Sequence, residues 1–226
     1  GEELIRSRLR EERIRVVPLP ELIASVDWVI STVTTQVAMQ VARTCLGYLK
    51  PGQVFLDFNS TSPHVKQEIA GLMAGAGIDF VEGAILGAVG ATREATRVLL
   101  TGPRGEEVAG ILNEYGLNTA VFGSRYGDAA SFKMLRSVFS KGIECLLIEM
   151  LVAGNKAGIE QALWEDIVSF MSKNPFEKVA SNWIQSHAVA YERRYHEMTQ
   201  VVETLKELGV EPILSEATEA FFERST

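Results

Sequence analysis

Three side chains that can move a proton or bind a polar ligand recur at four-residue intervals near the middle of the chain. Lys133, Ser137 and Lys141 have this spacing, which places them on one face of a helix. A lysine amine can pass a proton to or from a substrate hydroxyl, and burial or a nearby cation lowers its pKa towards neutrality. The same pattern is typical of a solvated helix face, so the spacing alone leaves both interpretations open.

Small and hydroxyl-bearing residues end or follow three predicted buried strands, at residues 27–32, 54–57 and 78–82. Ligands of an open parallel sheet bind beyond the carboxyl ends of its strands. Ser62 and Pro63 also predict the capped start of a helix, whose free backbone N–H groups suit a carboxylate or phosphate. Turn and cap chemistry alone is the simpler explanation of this second segment. The candidate contacts are Ser31, Thr32, Val33 and Thr34 at the first strand, Asn59, Ser60 and Thr61 after the second, and Gly87 after the third.

The first half of the chain predicts a scaffold that could bring these residues together. Its strands and helices alternate regularly, which is typical of a mainly parallel, doubly wound sheet. Strands are predicted at residues 27–32, 54–57, 78–82, 98–101 and 118–122, and helices at residues 37–48, 63–74 and 104–115.

The second half of the chain has no strand pattern. A strongly apolar helical pattern fills residues 128–156 and is too long for an ordinary surface helix. The sequence therefore predicts an α/β domain over residues 1–124 and an all-α domain over residues 125–226. Further helices are predicted at residues 161–172, 176–185, 187–208 and 215–224.

The composition argues against several classes of protein. The net charge is −7 and no basic stripe occurs, so nucleic acid and an anionic membrane are not expected as partners. His64, His187 and His196 lack metal-ligand spacing. Cys45 and Cys145 lie in apolar helical patterns that predict two reduced core thiols. A small-molecule substrate and a cytoplasmic location are the default expectations.

Three motifs together resemble the β-hydroxyacid dehydrogenases, a family that includes 3-hydroxyisobutyrate dehydrogenase and is related to 6-phosphogluconate dehydrogenase. Residues 57–63 resemble the family's polar strand end, residues 82–91 its glycine-rich substrate loop, and residues 123–137 the start of its catalytic helix. Their agreement in order and spacing is more specific than any single motif. The resemblance covers roughly residues 16–155, and the helical tail resembles a less-studied C-terminal domain of some members.

The resemblance implies a Rossmann-type sheet domain followed by a helical domain similar to that of 6-phosphogluconate dehydrogenase. It further implies hydride transfer between NADP or NAD and a hydroxy acid or related substrate, with Lys133 as the general acid/base. Family members use the helix predicted at residues 128–156 in dimer contacts, and its apolar faces predict a homodimer or higher homo-oligomer. The implied substrate contacts are Asn59, Ser60, Thr61, Gly87, Ser137 and Lys141, and the implied cofactor contacts are Ser31, Thr32, Val33 and Thr34.

The sequence departs from the family pattern at three points. No G-x-G-x-x-G follows a strand, and residues 1–15 resemble the end of a second cofactor-binding unit, a polar helix leading into a short strand at residues 14–17. We therefore expect the first unit to be missing from this sequence. Ser137 replaces the usual asparagine four residues after the lysine. Leu86 replaces the serine of the glycine-rich loop, which argues against a serine-bound substrate carboxylate.

Residues 1–226 are expected to bind a nicotinamide cofactor weakly or not at all without further N-terminal residues. The pyrophosphate of such a cofactor normally lies on the glycine loop and the first helix N-terminus, and neither is recognisable in this sequence. Isothermal titration calorimetry with NADP checks the expectation. Micromolar or tighter binding by this chain alone would contradict it.

Two other interpretations stay open. An imine reductase would share this architecture, although such enzymes generally lack a lysine at the position of Lys133. A non-catalytic ligand-binding or scaffold protein that has lost its nucleotide site would explain the absent glycine loop. Such a protein has no need of Lys133 in this setting.

Overall fold

The structure is a computed structural model that describes residues 14–225. Contacts within the chain divide it into two compact units, Gly1–Arg136 and Ser137–Thr226. The helix predicted near the N-terminus falls within residues 1–15, and residues 1–13 of it lie outside the described residues. The strand predicted at residues 14–17 is wrong, since this segment has no regular structure. It pairs with no strand of the described residues, and Pro18 lacks the N–H group that a ladder needs.

The first unit alternates strands with helices, as predicted. Ser62 caps the third helix as expected, because its hydroxyl accepts the Val65 N–H at 3.3 Å and Pro63 occupies the first turn. The strands are β1 (Trp28–Ser31), β2 (Val54–Asp57), β3 (Asp79–Leu86), β4 (Arg97–Thr101) and β5 (Asn118–Val121). The helices are α1 (Leu19–Ala24), α2 (Ala38–Leu46), α3 (Pro63–Gly75), α4 (Val89–Thr92) and α5 (Gly105–Glu114), with a 3₁₀ turn at Arg93–Ala95.

The five strands form one sheet in the order β1-β2-β3-β4-β5. The pairs β1–β2, β2–β3 and β4–β5 are parallel, and β3–β4 is antiparallel. The mainly parallel sheet of the predicted fold class is therefore confirmed. β3 is longer than the predicted strand at residues 78–82, because its pairing with β4 continues to Leu86 opposite Arg97. The loop predicted at residues 82–91 consequently begins only at Gly87.

Helices pack on both faces of this sheet. On one face, Phe55 and Phe80 lie in a buried cluster with Met73 of α3. On the other face, Leu56 packs in a second cluster with Val108 of α5. Successive side chains of β2 point to opposite faces. Both sets are buried, as expected for an inner strand of a parallel sheet.

The second unit is helical. The helix α6 begins in the first unit and continues into the second, so the division after Arg136 falls within it. The domain boundary at residues 124–125 stays a prediction; it lies between β5 and α6, where the chain changes from sheet to helix. The helices are α6 (Asp128–Lys156), α7 (Glu160–Lys173), α8 (Phe176–Glu207) and α9 (Ile213–Glu223).

Two predicted helices, residues 176–185 and 187–208, form the single helix α8, which is kinked at Ala190 (φ −125°, ψ 16°). No glycine or proline interrupts α8, so no residue within it is a strong helix breaker. The two cysteines differ in environment. Cys45 is buried as predicted, whereas Cys145 is exposed on α6, because the apolar pattern of α6 extends over more than one face.

The helices within residues 14–225 include none with the length and apolarity required to cross a membrane. The same residues contain no group of three or more histidine, cysteine or carboxylate side chains that could hold a metal ion.

Candidate active site

Four polar residues lie side by side in adjacent strands. Ser31, which ends β1, is in register with Asp57, which ends β2; Asp57 is in register with Glu82 of β3, and Glu82 with Thr101 of β4. Ser31 is 5% exposed and the other three are fully buried. Side chains in register project from the same face of a sheet. They form a buried polar row next to the apolar core.

The amide of Asn59 links the segment after β1 to the segment after β2. Its Nδ2 donates to Ser31 Oγ at 2.9 Å and to Asp57 Oδ1, and its Oδ1 accepts the Val33 N–H at 2.6 Å. Both amide hydrogens and one oxygen lone pair are therefore used within the protein. The side chain is also buried. These contacts favour a positioning role for Asn59, where the sequence predicted a substrate contact.

The predicted cofactor contacts comprise a buried anchor and an exposed segment. Ser31 is held in the polar row, whereas residues 32–34 are exposed. The backbone of this segment is fixed through the Val33 N–H group. One residue further on, the Thr35 hydroxyl donates to the Ser60 carbonyl at 3.2 Å. The segments after β1 and β2 are thus joined at two points.

Within the first unit, Lys133 Nζ donates a hydrogen bond to Ser60 Oγ, although 73 residues separate the two along the sequence. Lys133 is half-buried and Ser60 is exposed. Burial, followed by the positive charge of Lys66, lowers the pKa of Lys133 from its usual value. An amine with a lowered pKa can accept a proton as well as donate one. The pair is therefore chemically suited to proton exchange with a ligand hydroxyl.

A buried ion pair that sequence reasoning missed lies beside these residues. Lys66 is 1% exposed, and its Nζ donates to the Asp57 carbonyl at 2.8 Å, to Asp57 Oδ2 at 3.0 Å and to the Gly83 carbonyl at 3.4 Å. Burial lowers the pKa of Lys66, and the carboxylates of Asp57 and Glu82 oppose that shift. The ion pair fixes the end of β2 and the body of β3 to α3.

Glu82 is a second buried charged residue, and the sequence predicted it in the glycine-rich loop at residues 82–91. Its Oε2 accepts the Gly127 N–H at 2.5 Å and its Oε1 accepts the Ala130 N–H at 2.7 Å. The first N–H groups of a helix have no partner within the helix, and a carboxylate suits this end of it. Burial raises the pKa of Glu82, and the two N–H groups oppose that shift. Glu82 therefore anchors the start of α6 instead of belonging to a loop.

The remaining predicted contacts have different surroundings. Thr61 is 2% exposed, and its Oγ1 has no hydrogen-bond partner among residues 14–225. Gly87 has φ 126°, and a Cβ there would meet no described atom within 4 Å, so a ligand could approach its backbone closely. Ser137 and Lys141 belong to the second unit, where Lys141 Nζ pairs with Glu144 at 3.0 Å on an exposed surface.

Comparisons with known proteins give two relatives without an assigned activity. Residues 155–225 match a domain family of unknown function. An uncharacterized 28.5 kDa protein of Methanothermus fervidus is 28% identical over 205 residues, which cover 89% of this chain and 77% of that protein.

Solved structures also match. A conserved protein of unknown function, described as structurally similar to 3-hydroxyacid dehydrogenases, is 30% identical with a TM-score of 0.58; the match covers 94% of this chain and 80% of that one. A conserved hypothetical protein from Sinorhizobium meliloti is 33% identical, with a TM-score of 0.56 and coverage of 91% and 68%. An imine reductase from Myxococcus stipitatus in complex with NADP⁺ shares the fold, with 15% identity, a TM-score of 0.77 and coverage of 92% and 77%.

The sheet unit itself matches a family with a described role. Residues 4–123, more than half of the chain, match the NAD-binding domain of 6-phosphogluconate dehydrogenase. The mainly parallel sheet with helices on both faces and the helical unit after it agree with this match. The chain belongs to the family of the NAD-binding domain of 6-phosphogluconate dehydrogenase.

Proposed function

We propose that this protein is an NAD(P)-dependent oxidoreductase that interconverts a hydroxy acid, or a related hydroxy compound, and its carbonyl form. Lys133 acts as the general acid/base and Ser60 as its partner at the substrate. The observation that carries the proposal is the hydrogen bond between these two side chains, which brings the amine to the end of the sheet where such folds bind ligands. Membership of an NAD-binding family supports the choice of cofactor.

The described residues suit one part of a nicotinamide cofactor. Residues 32–34 form an exposed segment beyond β1, with two hydroxyl groups and a backbone held by Asn59. Such a segment can line the nicotinamide side, and Ser31 supports it from beneath. The sequence offers no G-x-G-x-x-G for the pyrophosphate, so this part of the fit is limited to the nicotinamide side. When bound, the cofactor supplies the capacity to accept or donate a hydride.

Each step assigned to the protein is a proton transfer or a positioning contact. During oxidation, neutral Lys133 accepts the proton of the substrate hydroxyl, and during reduction protonated Lys133 returns it to the carbonyl oxygen. Ser60 holds the amine in place and offers its own hydroxyl to the substrate. Asn59 fixes the segments around Ser60, and the open backbone at Gly87 allows close approach. Thr61 offers the buried hydroxyl without a described partner.

The proposal is tested by incubating the natural full-length protein with NAD or NADP and a panel of hydroxy acids, with cofactor reduction followed by absorbance. We expect turnover with at least one hydroxy acid. A panel of carbonyl compounds tests the reverse direction, and cyclic imines serve as the comparison class. Reduction of imines alone would favour an imine reductase, and cofactor-independent ligand binding without turnover would favour a scaffold or binding protein.

The pH dependence of turnover should report the lowered pKa of Lys133. The base is active when unprotonated, so oxidation should accelerate as pH rises through this pKa, and reduction should slow over the same range. The midpoints of both changes in rate should lie below about pH 10.4, the ordinary pKa of lysine. Steady-state rates across the alkaline range check this expectation. A midpoint at or above that pH would show that the pKa of Lys133 is not lowered in the working enzyme.

We also propose that the protein self-associates, because the helical unit exposes large apolar side chains. No residue of α7 or α9 is buried, and large apolar side chains of this unit are open to solvent, among them Phe139 at 53%, Ile184 at 74% and Phe221 at 64%. Apolar surface of this extent is typical of a face covered by another protein. Light scattering at micromolar concentration should give a dimer or larger homo-oligomer, and a monomer would contradict the proposal.

A further inference from the structure

The carboxylate of Glu82 in β3 holds the first N–H groups at the start of α6. Glu82 accepts the N–H groups of Gly127 and Ala130, and it is fully buried in β3. Lys133 lies three residues after Ala130, one helical turn further along the same face. Because the helix is rigid over a single turn, the carboxylate of Glu82 controls where the Lys133 side chain emerges.

Ser60, which accepts the hydrogen bond from Lys133, follows a strand end that is held by Asp57, the neighbour of Glu82 in the buried polar row. Asp57 binds the Asn59 amide, and Asn59 precedes Ser60 directly. Lys66 binds Asp57 through Oδ2 and through its carbonyl, and it binds the carbonyl of Gly83, the residue after Glu82. The buried amine of Lys66 thus links two strands. One is β2, whose end leads to Ser60, and the other is β3, which fixes the start of the helix that carries Lys133.

The structure assigns Glu82 and Lys66 as positioning residues for the Lys133–Ser60 pair, which they align through the start of α6 and the end of β2. This inference rests on the proposed function of Lys133. Neither Glu82 nor Lys66 is reached by solvent, each being at most 1% exposed. Both therefore act through the residues that they hold.

Charge reinforces this arrangement. The ionisable groups of the cluster are Asp57 from β2, Lys66 from α3, Glu82 from β3, Tyr126 just before α6, and Asp128 and Lys133 from α6. Lys66 repels the ammonium form of Lys133, and the burial imposed by the site disfavours the same form. A buried network of this kind holds a fixed geometry because each polar group in it has few alternative partners. Displacement of Lys133 towards solvent would remove the burial and restore the ordinary behaviour of a lysine.

The test uses the full-length protein, selectively labelled with carbon-13 at the lysine Cε, so that the titration of Lys133 is read without turnover. The signal is assigned by its loss in Lys133→Met. In Glu82→Gln, which retains the size of the side chain, we expect the titration midpoint to rise towards the value of about 10.4 of an exposed lysine. The kcat should fall by about 10- to 100-fold with little change in KM, as expected when a reacting group is misplaced.

The matched control is Asp79→Asn, which neutralises a half-buried carboxylate at the other end of β3, where it pairs with Arg104 at 3.3 Å, and should leave both readouts unchanged. A second variant, Asp57→Asn/Lys66→Met, removes the buried ion pair as a neutral unit. Loss of the Lys66 charge would by itself raise the midpoint, so the readout of positioning in this variant is kcat, which should fall as in Glu82→Gln. A folded Glu82→Gln protein with an unchanged midpoint and kcat would overturn the inference. If the midpoint moves as expected in a protein without any dehydrogenase turnover, the positioning role stands and the proposed function fails.

Discussion

Replacing Lys133 with alanine should abolish measurable turnover while leaving the fold largely unchanged. Loss of a general acid/base typically lowers the rate by about 10²- to 10⁴-fold, and loss of the contact with Ser60 adds to that. The helix does not depend on the Lys133 side chain for its packing, because Ala129 is fully buried and Phe132 packs against the same cluster. Turnover measured alongside circular dichroism and thermal unfolding separates the two effects.

Two further substitutions make this prediction specific to proton transfer. Lys133→Arg should be nearly as damaging as Lys133→Ala, because arginine stays protonated and cannot accept a proton. Lys141→Ala should have a much smaller effect, since Lys141 is exposed and pairs with Glu144. Near-normal turnover in Lys133→Arg would show that a positive charge is enough and that Lys133 does not exchange a proton. An equal loss in Lys141→Ala would move the assignment away from Lys133.

The sequence predicts those parts of the fold that depend on local pattern. The buried run Val54–Asp57 is a strand in any parallel sheet with both faces covered, and Ser62 followed by proline marks a helix start regardless of its neighbours. The limits of β3 are different, because residues 83–86 extend the strand only through their antiparallel partner β4. No local pattern within β3 specifies such a partner.

The candidate site was only partly predictable for a related reason. Lys133 and Ser60 stand in recognisable motifs, but Lys66 and Glu82 carry charges that usually lie on the surface. The only local signal for Lys66 is its place on the apolar stripe of α3 with Ile69, Ala70 and Met73. This spacing would have indicated a buried lysine, and a buried lysine requires an anionic partner. The partner, Asp57, could be identified only from the structure.

The same ion pair leads to the largest expected effect on stability. In Lys66→Met, Asp57 stays fully buried, and within residues 14–225 its carboxylate keeps the side chain and the backbone N–H of Asn59 as donors, neither of which carries a charge. Removal of one member of a buried pair typically costs about 3–5 kcal/mol of unfolding free energy, because the other charge is left uncompensated. Against the total stability of a typical domain, about 5–15 kcal/mol, such a loss should lower the unfolding midpoint strongly or prevent accumulation of the folded protein.

A double-mutant comparison shows whether the uncompensated charge is the cause. Asp57→Asn/Lys66→Met removes both charges and should be more stable than Lys66→Met alone, since no buried ion is then left unpaired. Glu68→Gln, on the exposed side of α3, is the control and should change the unfolding free energy by less than about 1 kcal/mol. Urea unfolding of the three variants and the parent, followed by tryptophan fluorescence, gives the values. If the double variant is less stable than Lys66→Met, the shape and hydrogen bonds of this cluster dominate its energetics, and the charge of Asp57 does not.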